Sequence, residues 1–334
     1  MTVRVAVDAM GADRGPEEII AGAKEAESAS LRPLIVGRRG LDTHGLELIE
    51  ASDVISMDEK PTDAVRAKPD SSLVVACRAV GDGRADAVVS PGNTGAMLAA
   101  SLMHIRRLKG VLRPAIAVVL PARGGPNVLI DAGANADARA EQLHQFGHMG
   151  SILSTEVLGV RRPRVRLLSI GEEAEKGNEL TLEAHALLAA DPTLDFHGNT
   201  EGRDLLTGGE EVIVTDGFTG NVALKLLEGT IKTVLEALRG EITATPRGKL
   251  GALLIRPAAR RLRTRLDPDT YGGAYLLGLR GLAVIAHGNS SARAIANAVR
   301  LAARGVEHDV VGRLEQRLQV TVLKSGRSTA PTPK

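Results

Sequence analysis

Aromatic residues are nearly absent: they make up 1% of the 334 residues, and there is no tryptophan. Surfaces that hold nucleobases or sugars by stacking rely on such rings, so that class of function is disfavoured. There is one cysteine, Cys77, which excludes an internal disulfide framework and suits a reducing cytosol. It sits in SSLVVACRAV, an apolar helical run, where core packing is expected rather than reactivity. No apolar run approaches the ~20 residues a membrane-spanning helix needs, and the opening MTVRVAVDAM reads as a first strand rather than a targeting segment. The formal net charge of +2 gives no general attraction to nucleic acid, so any basic patch must be local. Neither G-x-G-x-x-G after the first strand nor G-x-x-x-x-G-K-[ST] occurs anywhere, so no nucleotide cofactor is expected.

What the chain does have is a recurring unit of strand, small-residue loop and helix. VRVAVDAMGADRGPEEIIAGAKEA is the first, with Pro16 near the helix start. In the helix DSSLVVACRAV the cap falls to Ser71 or Asp70. RPAIAVVLPARGGPNVLIDAGAN departs from the pattern: two apolar runs joined by a Pro- and Gly-rich turn predict an antiparallel pair inside an otherwise parallel sheet. At least five such units imply an α/β fold, doubly wound, with a mostly parallel sheet between helices. We expect one catalytic domain over residues 1–324, as one unit or two lobes, possessing a protruding helical element at 243–270, and a disordered tail at 325–334.

Three loops share a composition: SPGNTGA, DGFTGN and HGNSSA. Each places Gly beside Asn, Thr or Ser between a strand and a helix, as a phosphate cradle does, although the same residues make ordinary helix caps. They supply the candidates Gly92, Asn93, Thr94 and Gly95, then Asp216, Gly217, Thr219, Gly220 and Asn221, then His287, Asn289 and Ser290. Read as equivalent ends of one sheet, the three favour the cradle. A further loop, SIGEEAEKGNEL, adds the cation Lys176 with Glu172 and Asn178, and DAGANAD adds Asp131 and Asn135. Acids gather at strand ends, Asp8, Asp131, Glu172, Glu173 and Asp216; they cap loops, or some of them orient Lys176 and keep it protonated. His144 and His148 fall four residues apart with Glu141 before them, but the metalloprotease pattern H-E-x-x-H is missing, and we expect no metal there.

GEEAEKGNEL, GNTEGRD, DGFTGNVALKLLEG and YGGAYLLGLRGLAVIAHGNSSA, with SPGNTGA and DAGAN before them in the chain, together and in matching order resemble the bacterial phosphate acyltransferases of the PlsX type. The resemblance runs from about residue 3 to 310. It implies a homodimer with the fold of the isocitrate and isopropylmalate dehydrogenases, and transfer of a fatty acyl group from acyl carrier protein to inorganic phosphate. The acyl phosphate would then feed a glycerol-3-phosphate acyltransferase in phospholipid synthesis. It also implies that Lys176 and Asn221 are the catalytic pair. The opening DAMGADRGP departs from the family's DAMGGD followed by histidine, and His148 stands where an apolar residue is commoner. Competing readings are a phosphotransacylase using acyl-coenzyme A, a dehydrogenase, and a non-catalytic membrane-bound scaffold.

Residues 245–266 form a basic amphipathic element. Leu250, Leu253, Leu254, Ala258 and Leu262 repeat at helical spacing, arginines and lysines surround them, and Pro257 predicts a kink or junction. Such an element suits an anionic bilayer surface, an acidic carrier protein or the dimer interface. The resemblance favours the membrane, giving a cytoplasmic protein held peripherally on the inner face of the cell membrane.

Overall fold

Short apolar runs bounded by small-residue loops set the strands, and the computed structural model describes residues 2–267 and 270–327. Along the chain, β1 (Val3–Asp8), α1 (Pro16–Ala26), β2 (Leu31–Gly37), β3 (Glu47–Glu50), α2 (Pro61–Ala67), α3 (Ser72–Gly81), β4 (Ala87–Ser90) and α4 (Thr94–His104) come first. β5 (Ala115–Leu120), β6 (Asn127–Ile130), α5 (Ala140–Leu158), β7 (Arg164–Leu168), α6 (Glu179–Ala190), β8 (Asp195–Thr200) and β9 (Val212–Val214) follow. The helical pair α7 (Gly217–Thr243) and α8 (Pro246–Leu266) precedes β10 (Ala274–Leu277), β11 (Leu282–Ile285), α9 (Ala292–Glu307) and α10 (Val310–Arg327). The last helix thus takes in residues 325–327, while 328–334, the rest of the expected tail, lie outside the described residues.

All strands share one 11-stranded sheet in the order β3-β2-β1-β4-β11-β10-β5-β6-β9-β7-β8. Side chains alternate across it, as strand pleating requires. Val3, Val5 and Val7 of β1, Val128 and Ile130 of β6, and Val212 and Val214 of β9 face a layer containing α1, α5, α6, α9 and α10. Ala6, Leu129 and Ile213 face the opposite layer, with α2, α3, α4 and the start of α7. Strands covered on both sides read as continuous apolar runs, as AVVS, NVLI and VIV do. Each fully buried Leu or Ile, such as Leu129 or Ile213, contributes roughly 1.5–3 kcal/mol. Cys77 belongs to this core; burial pushes its thiol up to about 12, so it is inert. The N-cap of α3 is Ser71, but its hydroxyl makes no capping bond.

The direction of the strands has a consequence for function. β1, β2, β4 and β11 are mutually parallel, and so are β6, β9, β7 and β8. Between these groups lie three antiparallel pairings: β11 with β10, β10 with β5, and β5 with β6. An odd number of reversals makes the two groups run oppositely. The loops after β4 and β11 therefore leave one edge of the sheet, and the loops after β6, β7 and β9 leave the other. The β5–β6 pair was anticipated from its Pro–Gly turn; β10, a four-residue strand, was not.

α7 is 27 residues long, about 40 Å at the usual rise. It buries only Gly217, Gly220 and Leu224, and α8 buries none of its residues. The two helices form a projecting hairpin. Its turn is capped by Thr245, whose Oγ1 accepts from the Gly248 amide at 3.0 Å. At Gly248 an added Cβ would meet the Ile242 carbonyl oxygen at 2.0 Å, so that turn has no room for a side chain. Of the two alternatives at Pro257, a junction is absent: α8 runs through it.

Candidate active site

Asp8 closes the β1 end of the first edge. It is wholly buried, accepts from the Ser90 hydroxyl at 2.7 Å and from the Met10 amide at 3.2 Å, and interacts with Ser72. Burial raises its pKa, and these donors pull it back. A Cβ on Gly11 would lie 2.8 Å from the Asp8 carboxylate and 2.9 Å from Gly92; the two glycines let the loops after β1 and β4 pass over the acid. Asn93 caps α4 by accepting from the Ala96 amide at 3.0 Å. Its Nδ2 donates to the Met57 carbonyl at 3.0 Å and to that of Glu59 at 3.3 Å. Gly95 packs on Pro61; Thr94 is exposed. In the neighbouring loop, Asn289 accepts from Arg14 Nε at 2.7 Å, Ser290 is buried, and His287 Nε2 lies 3.6 Å from Glu228 of α7. Two of the three similar loops are thus adjacent, and most of their polar groups hold the fold. The third, DGFTGN, is at the opposite edge, which corrects the expectation that all three occupy equivalent ends.

On that second edge β6, β9 and β7 lie side by side and parallel. Asp131, at the end of β6, is fully buried. It accepts from the amides of Ile116, Gly133, Ala134 and Asn135, and from Asn135 Nδ2, at 2.8–3.1 Å. Burial raises its pKa and these donors oppose the rise. Asp131 is therefore the knot of its own loop. Asn135 Nδ2 also donates to the Pro114 carbonyl, and the Asn135 carbonyl accepts from the Gly217 amide at 2.8 Å. α7 starts against this loop so closely that a Cβ on Gly220 would stand 1.9 Å from the Asp131 carbonyl oxygen. Asp216 caps α7 through the Thr219 amide at 2.8 Å.

This clamp fixes Asn221, the fifth residue of α7, just past the helix's first turn. Its exposed side chain packs 3.6 Å from where a Cβ on Gly133 would be, and its carboxamide makes no hydrogen bond to any described residue. From the adjacent strand, the loop after β7 is tied by Ser169 Oγ donating to the Lys176 carbonyl at 2.8 Å and by Asn199 Nδ2 donating to the Glu173 carbonyl at 2.8 Å. Asn178 caps α6 through the Thr181 amide at 2.9 Å. The backbone of Lys176 is thus anchored while its amine is exposed and forms no ion pair among the described residues. Among the described residues no carboxylate pairs with Lys176: Glu172 faces Arg203 at 3.8 Å, Asp216 is a cap, Asp8 and Asp131 are buried in their own networks, and Glu173 forms no ion pair. The result is a cation on the loop after β7 and an amide near the start of α7, neither bonded to any described residue. Ser72, Ser90, Gly11 and Gly133 went unnoticed in the sequence; their contacts link distant segments, and only the glycines left a signal.

His144 and His148 do not reach this site. They meet Asp191 at the far end of α6, both through Nε2 at 2.9 Å.

The fold is shared with a phosphotransacetylase from Streptococcus pyogenes (TM-score 0.62, 17% identity, 92% of this chain and 94% of that one). It is also shared with a branched-chain phosphotransacylase from Enterococcus faecalis (TM-score 0.60, 16% identity, 92% and 100%). At these identities the likeness speaks for the fold alone. Sequence goes further. The model of a family described as "Fatty acid synthesis protein" matches residues 3–313. The phosphate acyltransferase of Heliobacterium modesticaldum is 46% identical over 329 residues, 95% of this chain and 98% of that protein. That of Thermobifida fusca is 44% identical over 330 residues, 94% and 90%. The chain belongs to the phosphate acyltransferase family of fatty acid and phospholipid synthesis.

Proposed function

We propose that the enzyme transfers a fatty acyl group from the thioester of acyl carrier protein to inorganic phosphate, yielding acyl phosphate and the free carrier thiol. The observation that carries this reading is the pair of unengaged groups, the Lys176 amine and the Asn221 amide, on loops that follow the adjacent parallel strands β7 and β9. Phosphate is an anion at neutral pH and needs little help from a base. A phosphate oxygen attacks the thioester carbonyl, the carbonyl oxygen takes up negative charge, and the C–S bond then breaks. The departing thiolate has a pKa of roughly 8.5 by analogy with cysteine, so strong acid assistance is also unnecessary. What the protein supplies is position and stabilisation of the oxyanion. A cation and an amide donor suit that task, with Asp131, Asn135, Asp216, Gly217 and Gly220 holding the loops that present them. Attack is direct, with no acyl-enzyme intermediate.

Phosphate-dependent cleavage of the thioester tests this, with acyl carrier protein and coenzyme A compared as acyl donors. The carrier-linked donor is expected to be used with much the higher kcat/KM. Preference for acyl-coenzyme A would favour the phosphotransacylase reading, and a burst of acyl-enzyme without phosphate would rule out direct attack.

The α7–α8 hairpin is proposed to carry association with the membrane surface and with a second copy. Among the described residues no helix is long and apolar enough to cross a membrane, which leaves a peripheral mode. Leu250, Leu253, Leu254 and Leu262 are exposed on α8, and Phe218, Val222 and Leu226 on α7. Arg256, Arg260, Arg261 and Arg265 line a cavity beside Pro257. Each cation near an anionic bilayer adds about 1 kcal/mol. Replacing Leu253 and Leu254 by Glu should abolish co-sedimentation with anionic liposomes; unchanged co-sedimentation would remove the hairpin as the anchor.

A further inference from the structure

The chain holds a second constellation that the acyl-transfer site does not use. His144 and His148 project from one face of α5, with ring centroids 5.0 Å apart. Asp191, at the C-terminal end of α6, reaches both: its Oδ2 is 2.9 Å from each Nε2. The three atoms converge within 4.8 Å of one another. His148 is completely buried, and the side chains of His144 and Asp191 are 17% and 13% exposed. The other oxygen of Asp191 is held by the Thr193 amide at 2.9 Å and the Thr193 hydroxyl at 2.6 Å, so the shared oxygen is fixed in direction. Beside it a cleft of about 580 Å³ opens to solvent, bordered by His148, Thr193, Arg313 and Arg317.

We propose that His144, His148 and Asp191 bind a late first-row divalent metal ion, with zinc the best match, as a structural site distinct from the acyl-transfer centre. Two imidazoles and one carboxylate form an N₂O donor set that suits zinc or cobalt rather than magnesium or calcium, which take oxygen ligands. Bonds of about 2.0–2.1 Å in a tetrahedral site put neighbouring donor atoms about 3.3 Å apart. From 2.9 Å each histidine need retreat only a few tenths of an ångström from the carboxylate, while the two Nε2 atoms, within 4.8 Å of each other, settle at the same separation. The ion takes the place of the Nε2 protons that now bridge to Asp191, and the open cleft admits water as fourth ligand. The carboxylate is already supported from behind, as metal-ligating carboxylates are.

One neighbour works against the ion. Arg317 Nε donates to His148 Nδ1 at 3.3 Å and its Nη2 donates to the Thr193 carbonyl. A neutral histidine ligating through Nε2 carries its proton on Nδ1, where the arginine now donates. Arg317 must give up that bond for the metal to enter, so its loss should tighten binding. The site lies where β7 and β8 begin, since the residues before β7 line the same cleft, whereas Lys176 follows the end of β7. Its role is to fasten α5 to the turn between α6 and β8.

The test is titration of the chelator-stripped full chain with Zn²⁺ by calorimetry and with Co²⁺ by visible absorption, alongside thermal melts. The expected result is one saturable equivalent per chain, a four-coordinate cobalt spectrum, and a higher Tm with zinc. His144→Ala and Asp191→Asn should each weaken binding at least tenfold and remove the Tm rise, and Arg317→Met should tighten it severalfold. His144 is only partly buried and Asp191→Asn keeps its shape, so melts without metal will establish that both variants fold. Absence of a saturable equivalent, or unchanged affinity in His144→Ala, overturns the proposal.

Discussion

The two edges of the sheet are built from the same vocabulary and reach different ends. At the edge formed by β1, β4 and β11, Asp8, Ser90, Asn93 and Asn289 all bond to other parts of the chain. At the edge formed by β6, β9 and β7, Asp131, Asn135 and Asp216 do the same work, yet the side chains of Lys176 and Asn221 bond to none of the described residues. Composition alone therefore does not separate a cap from a site. What separates them is whether the polar atom has a partner once the chain is folded, because an engaged donor must break a bond to greet a ligand and an unengaged one need not.

That contrast can be broken in several ways. The largest effect belongs to Lys176→Ala and Asn221→Ala: loss of an oxyanion donor typically costs on the order of 10²–10³ in turnover, and since neither side chain bonds to the fold, Tm should not move. Next comes Gly220→Ala, whose Cβ would collide with the Asp131 carbonyl at 1.9 Å. Overpacking of this kind costs roughly 1–3 kcal/mol, and turnover should fall with it because Asn221 shifts. At the opposite edge Asn93→Ala should lower stability by about 0.5–2 kcal/mol, as lost helix caps do, with turnover within threefold of wild type. A large kinetic loss there would erase the distinction between the edges.

The smallest effect is acidic. Burial pushes the Asp86 carboxyl up, but Arg4, donating from its backbone amide and its guanidinium at 2.8 Å, holds it below the ordinary range. A carboxyl depressed in the folded state contributes its stability above the unfolded pKa, near 3.9, and loses it as pH falls through the folded value. Arg4 is 40% exposed, so screening limits the pair to no more than about 1 kcal/mol. The Tm deficit of Asp86→Asn should be constant from pH 7 to about 5 and shrink in stronger acid.

Much of the fold was legible because it rests on local signals. The start of α1 at Pro16, the N-cap at Ser71 and the antiparallel β5–β6 pair were all read from apolar runs, caps and turns. β8, with its sequence DFHGNT, escaped because an edge strand covered less completely need not be apolar. β10 escaped because four residues carry too little pattern. β10 adds two reversals of direction that cancel, so the β5–β6 reversal by itself turns the DGFTGN loop away from its two look-alikes. Lys176 and Asn221 were legible through motif resemblance; that they are unpartnered was not, since it depends on where Glu172, Glu173 and Asp216 point. Asp191 lies 43 residues beyond His148, and no spacing rule joins them.

Single-turnover formation of acyl phosphate, at saturating phosphate and excess enzyme, isolates the chemical step from binding and release. For Lys176→Ala and Asn221→Ala it should slow by at least about 10², while Asn93→Ala stays close to wild type. If either of the first two variants forms acyl phosphate at a near-normal rate, the oxyanion is not stabilised by the groups the fold leaves free.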